Sequence, residues 1–244
     1  MDHLIIILAL VIFLANATET FTGFAGAITA ITLGAHFYPI DNLVPIWVTL
    51  NLLMNGYIVL RYGGKVHWSL LGKQVWPFMV LGIIIGLFLH PYLSGIALKN
   101  LLGVLVVVFA GRQLILSVRK SPVKRPPMSH MQAGFWQILA GICQAIYATG
   151  GPFLVYSLSR LNFPKAVFRA TMCTVWGSLN TLLVVVFLLN GRINLASLTL
   201  SAYLLPALPL GIILGEWMHG RVNEEQFKII IYLLLLVAGL TLVF

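Results

Sequence analysis

The sequence predicts an all-α integral membrane protein made of two inverted repeats, each a re-entrant or broken helical hairpin followed by three transmembrane helices. Three observations carry this prediction: an apolar composition, an ordered series of internal matches, and a one-sided distribution of basic residues. Of 244 residues, 60% are hydrophobic and 9% charged, against about 25% charged in a soluble domain. So few charges cannot cover a water-soluble surface, so lipid must solvate most of the chain. The net charge of +9 lies almost wholly in short connections between apolar runs. Topology determinants are distributed that way, whereas a nucleic-acid face is not, so no nucleic-acid partner is expected. Cys143 and Cys173 lie in apolar segments without CxxC spacing or a nearby His, and are expected to be buried, reduced and inert. Leu4 to Leu14 is apolar and precedes Ala15-Asn16-Ala17, as at a signal-peptidase site. However, Asp2 and no basic residue stands before it, so the segment is expected to be mature protein.

The duplication is read from ordered matches. At an offset of 125, Gly26 meets Gly151, Phe37-Tyr38-Pro39 meets Asn162-Phe163-Pro164, and Asn55 meets Asn180. At 129, Pro77, Gly82, Gly86, His90 and Lys99 meet Pro206, Gly211, Gly215, His219 and Lys228. The charged, Pro-rich stretch from Arg119 to Pro127 can be neither helical nor membrane-buried. Repeat 1 is therefore set at 1–120, a cytoplasmic linker at 121–130 and repeat 2 at 131–244.

In repeat 1, residues 43–60, 74–90 and 96–118 are long enough to cross roughly 30 Å of hydrocarbon. In repeat 2 the equivalents are 168–189, 196–219 and 226–244. The first element of each repeat differs. Residues 4–37 are interrupted by Asn16, Thr18, Glu19, Thr20, Thr22, Gly23 and Gly26, and 131–161 by Gln144, Thr149, Gly150, Gly151 and Pro152. Matching polar and Gly/Pro interruptions are the best sequence pointer to a transporter site. If both elements turn back, each arm has about 11–15 residues, or roughly 16–22 Å. Basic residues choose between crossing and turning back. Crossing leaves nine on the side of Arg61 and Arg119 and six opposite, the latter including Arg160 and Lys165. Turning back leaves thirteen against only Lys99 and Arg192. Two hairpins then give three crossings per repeat, inverted repeats, and both termini outside.

A hairpin returning as a half-helix exposes N–H groups and a partial positive charge near the midplane. One start falls near Gly23 to Gly26, the other near Thr149-Gly150-Gly151-Pro152, with Pro152 suited to a first helical position. Such starts suit a small anion. Thr22 and Thr149 add hydroxyl donors, and Gly23, Gly26, Gly150 and Gly151 let a ligand approach the backbone. Asn55 and Asn180 either add amide donors or bond between helices. Gly82, Gly86, Gly211 and Gly215 lie mid-span, where tight helix packing explains them. Glu19 is the lone acid deep in an apolar stretch and is costly to ionise there. It either carries a proton coupled to substrate movement or caps the hairpin. Arg169 either attracts anions at the cytoplasmic mouth or fixes topology. His90 and His219 are expected at interfaces, as are Trp47, Trp68 and Trp217.

Phe21 to Ile28, Ala148-Thr149-Gly150-Gly151-Pro152, Phe168-Arg169-Ala170-Thr171 with Asn180, and the Gly191-Arg192-Ile193 turn together resemble the sulfite exporter TauE/SafE family of membrane transporters. The resemblance covers nearly the whole chain. It implies movement of a small, often sulfur-containing anion such as sulfite or a sulfonate across a bacterial inner membrane, driven by the proton gradient. Ala25 and Ala27 stand where that family often has glycine. The expected partners are a small anion, lipid and a coupled proton, with no oligomer predicted. The alternative is a passive anion channel using the same hairpins. An enzyme is not expected, because HExxH, paired intramembrane aspartates and Ser/His or Cys/His constellations are missing from the sequence. No cofactor or metal is expected either.

Overall fold

The structure, a computed structural model, describes residues 2–93, 95–119, 128–161, 163–219, 221 and 224–243. All regular structure among them is helical: α1 (Asp2–Thr22), α2 (Gly26–Gly34), α3 (Ile40–Tyr62), the single turn α4 (Trp68–Leu70), α5 (Trp76–Leu89) and α6 (Gly95–Arg119). There follow α7 (His130–Tyr147), α8 (Gly151–Leu158), α9 (Lys165–Leu189), α10 (Leu195–Leu204), α11 (Ala207–His219) and α12 (Glu224–Val243). Residues 121–127 of the expected linker and the side chains of His219 and Lys228 lie outside the described residues.

Five helical stretches are long and apolar enough to cross a membrane: His3–Thr22, Ile40–Lys65, Trp68–Tyr92, Gly95–Ser117 and Ala166–Leu189. Leu195–Leu204 and Ala207–Met218, bent by 46° at their junction, make a sixth if the pair is one broken span. The chain is thus an all-helical, multi-pass membrane protein.

Both broken elements double back. A Cβ on Gly26 would lie 2.6 Å from the Ala15 carbonyl oxygen, so α2 returns along α1. A Cβ on Gly150 would lie 2.5 Å from the Ala140 carbonyl oxygen, so α8 returns along α7. The arms are unequal, however: α1 has 21 residues and α2 nine, α7 has 18 and α8 eight. The polar residues of α1 do not break it because their side chains bond to its own carbonyls one turn back. Asn16 Nδ2 donates to Ile12 O (2.8 Å), Thr18 Oγ1 to Leu14 O (2.7 Å), and Thr22 Oγ1 to Thr18 O (2.8 Å).

The reversals come from one residue at matching positions. Gly23 has φ 84° and Ala148 φ 52°. Each closes its helix with a left-handed cap: Gly23 N–H to Glu19 O at 2.6 Å, and Ala148 N–H to Gln144 O at 2.9 Å. Glycine adopts this backbone freely and alanine at a cost, while a β-branched side chain is an outlier there. Ala148→Val is therefore expected to lower stability by about 1–3 kcal/mol, with Ala148→Gly remaining folded. Thermal unfolding in detergent checks this; equal midpoints for Val and Gly would contradict the strained cap.

The core is a reciprocal clasp. A Cβ on Gly82 would meet the Ile138 carbonyl and, at 2.9 Å, the Gly141 Cα; one on Gly86 would lie 2.8 Å from the Ala145 Cβ. In the other half, a Cβ on Gly211 would lie 2.7 Å from the Phe13 carbonyl oxygen and one on Gly215 2.6 Å from the Thr20 Cβ. These contacts repeat at the sequence offsets. Small residues thus seat α5 against α7 and α11 against α1, as is common between membrane helices. Trp47 is fully buried, which corrects its expected interfacial place: it shares one α3 face with the core residues Leu43 and Leu50. Trp68 and Trp217 are exposed.

Candidate functional site

Each hairpin carries a polar side chain one turn before its break. These are Glu19 and Gln144, again 125 apart. The Glu19 carboxylate lies over Gly26, where any side chain would collide with it. It faces the Asn51 and Asn55 amides and the Ala27 N–H. Gln144 accepts from the Gly150 N–H through Oε1 (3.0 Å) and donates through Nε2 to Asn180 Oδ1 (2.8 Å). Asn180 Nδ2 donates to Asn51 Oδ1 (2.7 Å), which also accepts from Asn55 Nδ2 (2.5 Å). A chain of amides therefore joins both breaks across α3 and α9.

The breaks also touch directly. A Cβ on Gly151 would lie 2.8 Å from the Phe24 carbonyl oxygen, and Trp176 Nε1 donates to the Gly23 carbonyl at 3.0 Å. Between them lies a cavity of about 10 Å³, lined by Glu19, Phe24, Ala27, Asn51, Gln144, Ala148, Thr149, Gly150, Gly151, Trp176 and Asn180. That is room for about one water. Thr149 is 1% exposed, and its hydroxyl has no hydrogen-bond partner among the described residues. Leaving such a group unmet costs roughly 1–3 kcal/mol.

Five residues singled out from sequence line this cavity: Glu19, Thr149, Gly150, Gly151 and Asn180. The others stand beside it. Thr22 Oγ1 accepts the N–H of Phe24 (3.3 Å) and Ala25 (3.2 Å), capping the break. Gly23 forms the turn, Gly26 makes room for Glu19, and Asn55 supports Asn51. Arg169 is buried: its Nη1 donates to Thr20 O (3.1 Å) and pairs with Glu216 (3.2 Å), and its guanidinium sits 4.6 Å from the Tyr62 ring centroid. Far from Arg169, His90 Nε2 lies 2.9 Å and Arg192 Nη2 3.8 Å from Asp41 Oδ1. Sequence reasoning missed Asn51 and Trp176 and read Gln144 only as an interruption. Two signals were available: Gln144 is the positional partner of Glu19, and Asn51 lies one turn before Asn55. Among the described residues, no group of three His, Cys, Asp or Glu side chains is placed to hold a metal.

Residues 8–242 match the family described as Sulfite exporter TauE/SafE. The chain belongs to that family of membrane transporters. A relative of this TauE/SafE member from Comamonas testosteroni, described as "Probable inner membrane transporter protein TsaS", is 27% identical over 199 residues. The match spans 79% of this chain and 81% of the relative. No solved structure matches this TauE/SafE chain.

Proposed function

We propose that this chain is a secondary transporter that moves a small, sulfur-containing anion such as sulfite or a sulfonate across the bacterial inner membrane, together with a proton. The observation that carries the reading is the meeting of two helix breaks at one buried polar cavity. There the α2 and α8 starts offer N–H groups and partial positive charge, and Thr149, Asn51 and Asn180 add side-chain polar groups. Glu19 faces the same space. Its carboxylate repels an anion when ionised, so anion and proton bind together. The relative's description as an inner membrane transporter supports the location.

The two halves act as inverted repeats. Arg169 packs on the ring of Tyr62, and the His67 N–H bonds Thr171 Oγ1 at 3.1 Å, so the starts of α5 and α9 share one end of the bundle. That end carries Arg61, Lys65, Lys73 and Arg169 and is assigned to the cytoplasm. Both termini then face the periplasm. The Arg169–Glu216 pair closes the cytoplasmic mouth, and the Asp41, His90 and Arg192 group closes the other. A cavity with room for one water admits an anion only when the halves separate, which favours alternating access over a passive channel.

Binding by the purified protein across sulfite, sulfate, sulfonates and short carboxylates tests the site. Thr149→Val keeps the shape and removes the hydroxyl. It is expected to weaken binding of the preferred anion roughly tenfold or more, as loss of a hydrogen bond to a charged group does. Unchanged binding in this variant and in Asn180→Leu would place the substrate elsewhere.

A further inference from the structure

Beside the α8 half-helix, and sharing no lining residue with the polar cavity, a groove of about 570 Å³ runs between α6, α7 and α8. Along α6 it is bounded by Leu101 and Arg112, roughly 16 Å apart at 1.5 Å per residue. One leaflet of a bilayer is about 15 Å deep. Its α6 wall is open to the outside: Leu101, Val104 and Val108 are 50%, 51% and 64% exposed. The inner wall is aromatic. Trp136 stacks on Phe153 at 6.1 Å and meets Tyr156 edge-on at 4.8 Å.

The polarity of the groove is concentrated at one end. Among the described residues that line it, Arg112 alone is charged. The Arg112 guanidinium lies 4.7 Å from the Tyr156 ring centroid and that of Arg160 5.3 Å, with Arg160 Nη2 donating to Tyr156 Oη at 3.0 Å. Two guanidiniums gathered on one ring, at the head of an apolar slot one leaflet long, match the chemistry of a single molecule. We propose that the groove is a specific site for an anionic phospholipid of the cytoplasmic leaflet. One acyl chain lies along α6 against Trp136, and the phosphate sits between Arg112 and Arg160. A zwitterionic lipid carries its own cation beside the phosphate and leaves the two guanidiniums without net neutralisation, and a second protein copy would have to bring a carboxylate to the same depth.

Fluorescence quenching of the full chain in detergent by lipids with brominated chains tests this. Brominated phosphatidylglycerol should half-saturate quenching at several-fold lower concentration than brominated phosphatidylcholine, and Trp136→Phe should remove the saturable part. The doubly substituted Arg112→Gln, Arg160→Gln chain should bind both lipids alike, at the affinity of phosphatidylcholine for the unaltered chain, which also shows that it is folded. Equal affinities for both lipids in the unaltered chain would overturn the proposal. So would saturable quenching that survives Trp136→Phe. So would a Val104→Cys chain that cross-links to a second copy equally with and without phosphatidylglycerol.

Discussion

Replacing Glu19 by Gln is expected to leave the protein folded and to make anion flux in vesicles indifferent to the proton gradient, with at least a tenfold loss of gradient-driven uptake. The retained fold is argued from the protein itself. Gln144 occupies the matching position in the second half, one turn before the break, and uses both ends of its amide, accepting from Gly150 and donating to Asn180. A glutamine at position 19 meets similar surroundings: the Ala27 N–H on one side and the asparagine amides on the other. What it cannot do is alternate between charged and neutral forms. If Glu19 neutralises the site as the anion enters, Gln mimics the protonated state permanently. Exchange of anion for anion should then continue while uphill movement stops. Flux measured with and without an imposed pH difference separates the two. A variant that keeps the wild-type response to the gradient would remove Glu19 from the coupling step.

Gly26→Ala should damage the protein out of proportion to one methyl group. The added Cβ would meet the Glu19 side chain and lie 2.6 Å from the Ala15 carbonyl oxygen. A backbone carbonyl in a packed helix cannot retreat as a flexible side-chain tip can. Either α2 lifts away from α1 or Glu19 is displaced from Asn51 and Asn55. Overpacking of this kind costs about 1–3 kcal/mol, and either response also opens the polar cavity. Gly56→Ala is the matched control, because a Cβ there meets nothing within 4 Å. It should be neutral or stabilise slightly, since alanine is the better helix former by roughly 1 kcal/mol. Thermal midpoints should fall for Gly26→Ala and hold for Gly56→Ala. Equal midpoints would mean that the two arms of the hairpin are not in contact.

Much of this was legible because lipid imposes hard rules. Segments such as 96–118 and 168–189 must be helical if they cross, so their existence followed from apolarity and length alone. The breaks were legible too, since Gly150, Gly151 and Pro152 have few other uses within an apolar run. The asymmetry of the arms was not. Asn16 and Thr18 look like interruptions until their side chains are seen to bond within α1, and no composition rule separates that outcome from a true break. Asn51 was hidden for a different reason. It sits in an unbroken helix, and its role comes from facing Glu19 and Asn180 on two other elements. The turn at Ala148 was masked by its identity: its positional partner is Gly23, but alanine does not announce a left-handed backbone.

The clasp of α1 by α11 also constrains the order of assembly in the cell. The Phe13 and Asn16 surface of α1 finds its partner only when Gly211 has been made. At about 5–20 residues per second, that partner arrives roughly 10–40 seconds later. During that interval the first hairpin waits in the bilayer with the Asn180 side of its polar cluster missing. Its survival then rests on what the young chain itself offers, α2 folded over α1 and Asn51 and Asn55 against Glu19. Weakening those early contacts would therefore lower the yield of inserted protein even where the finished molecule tolerates the change.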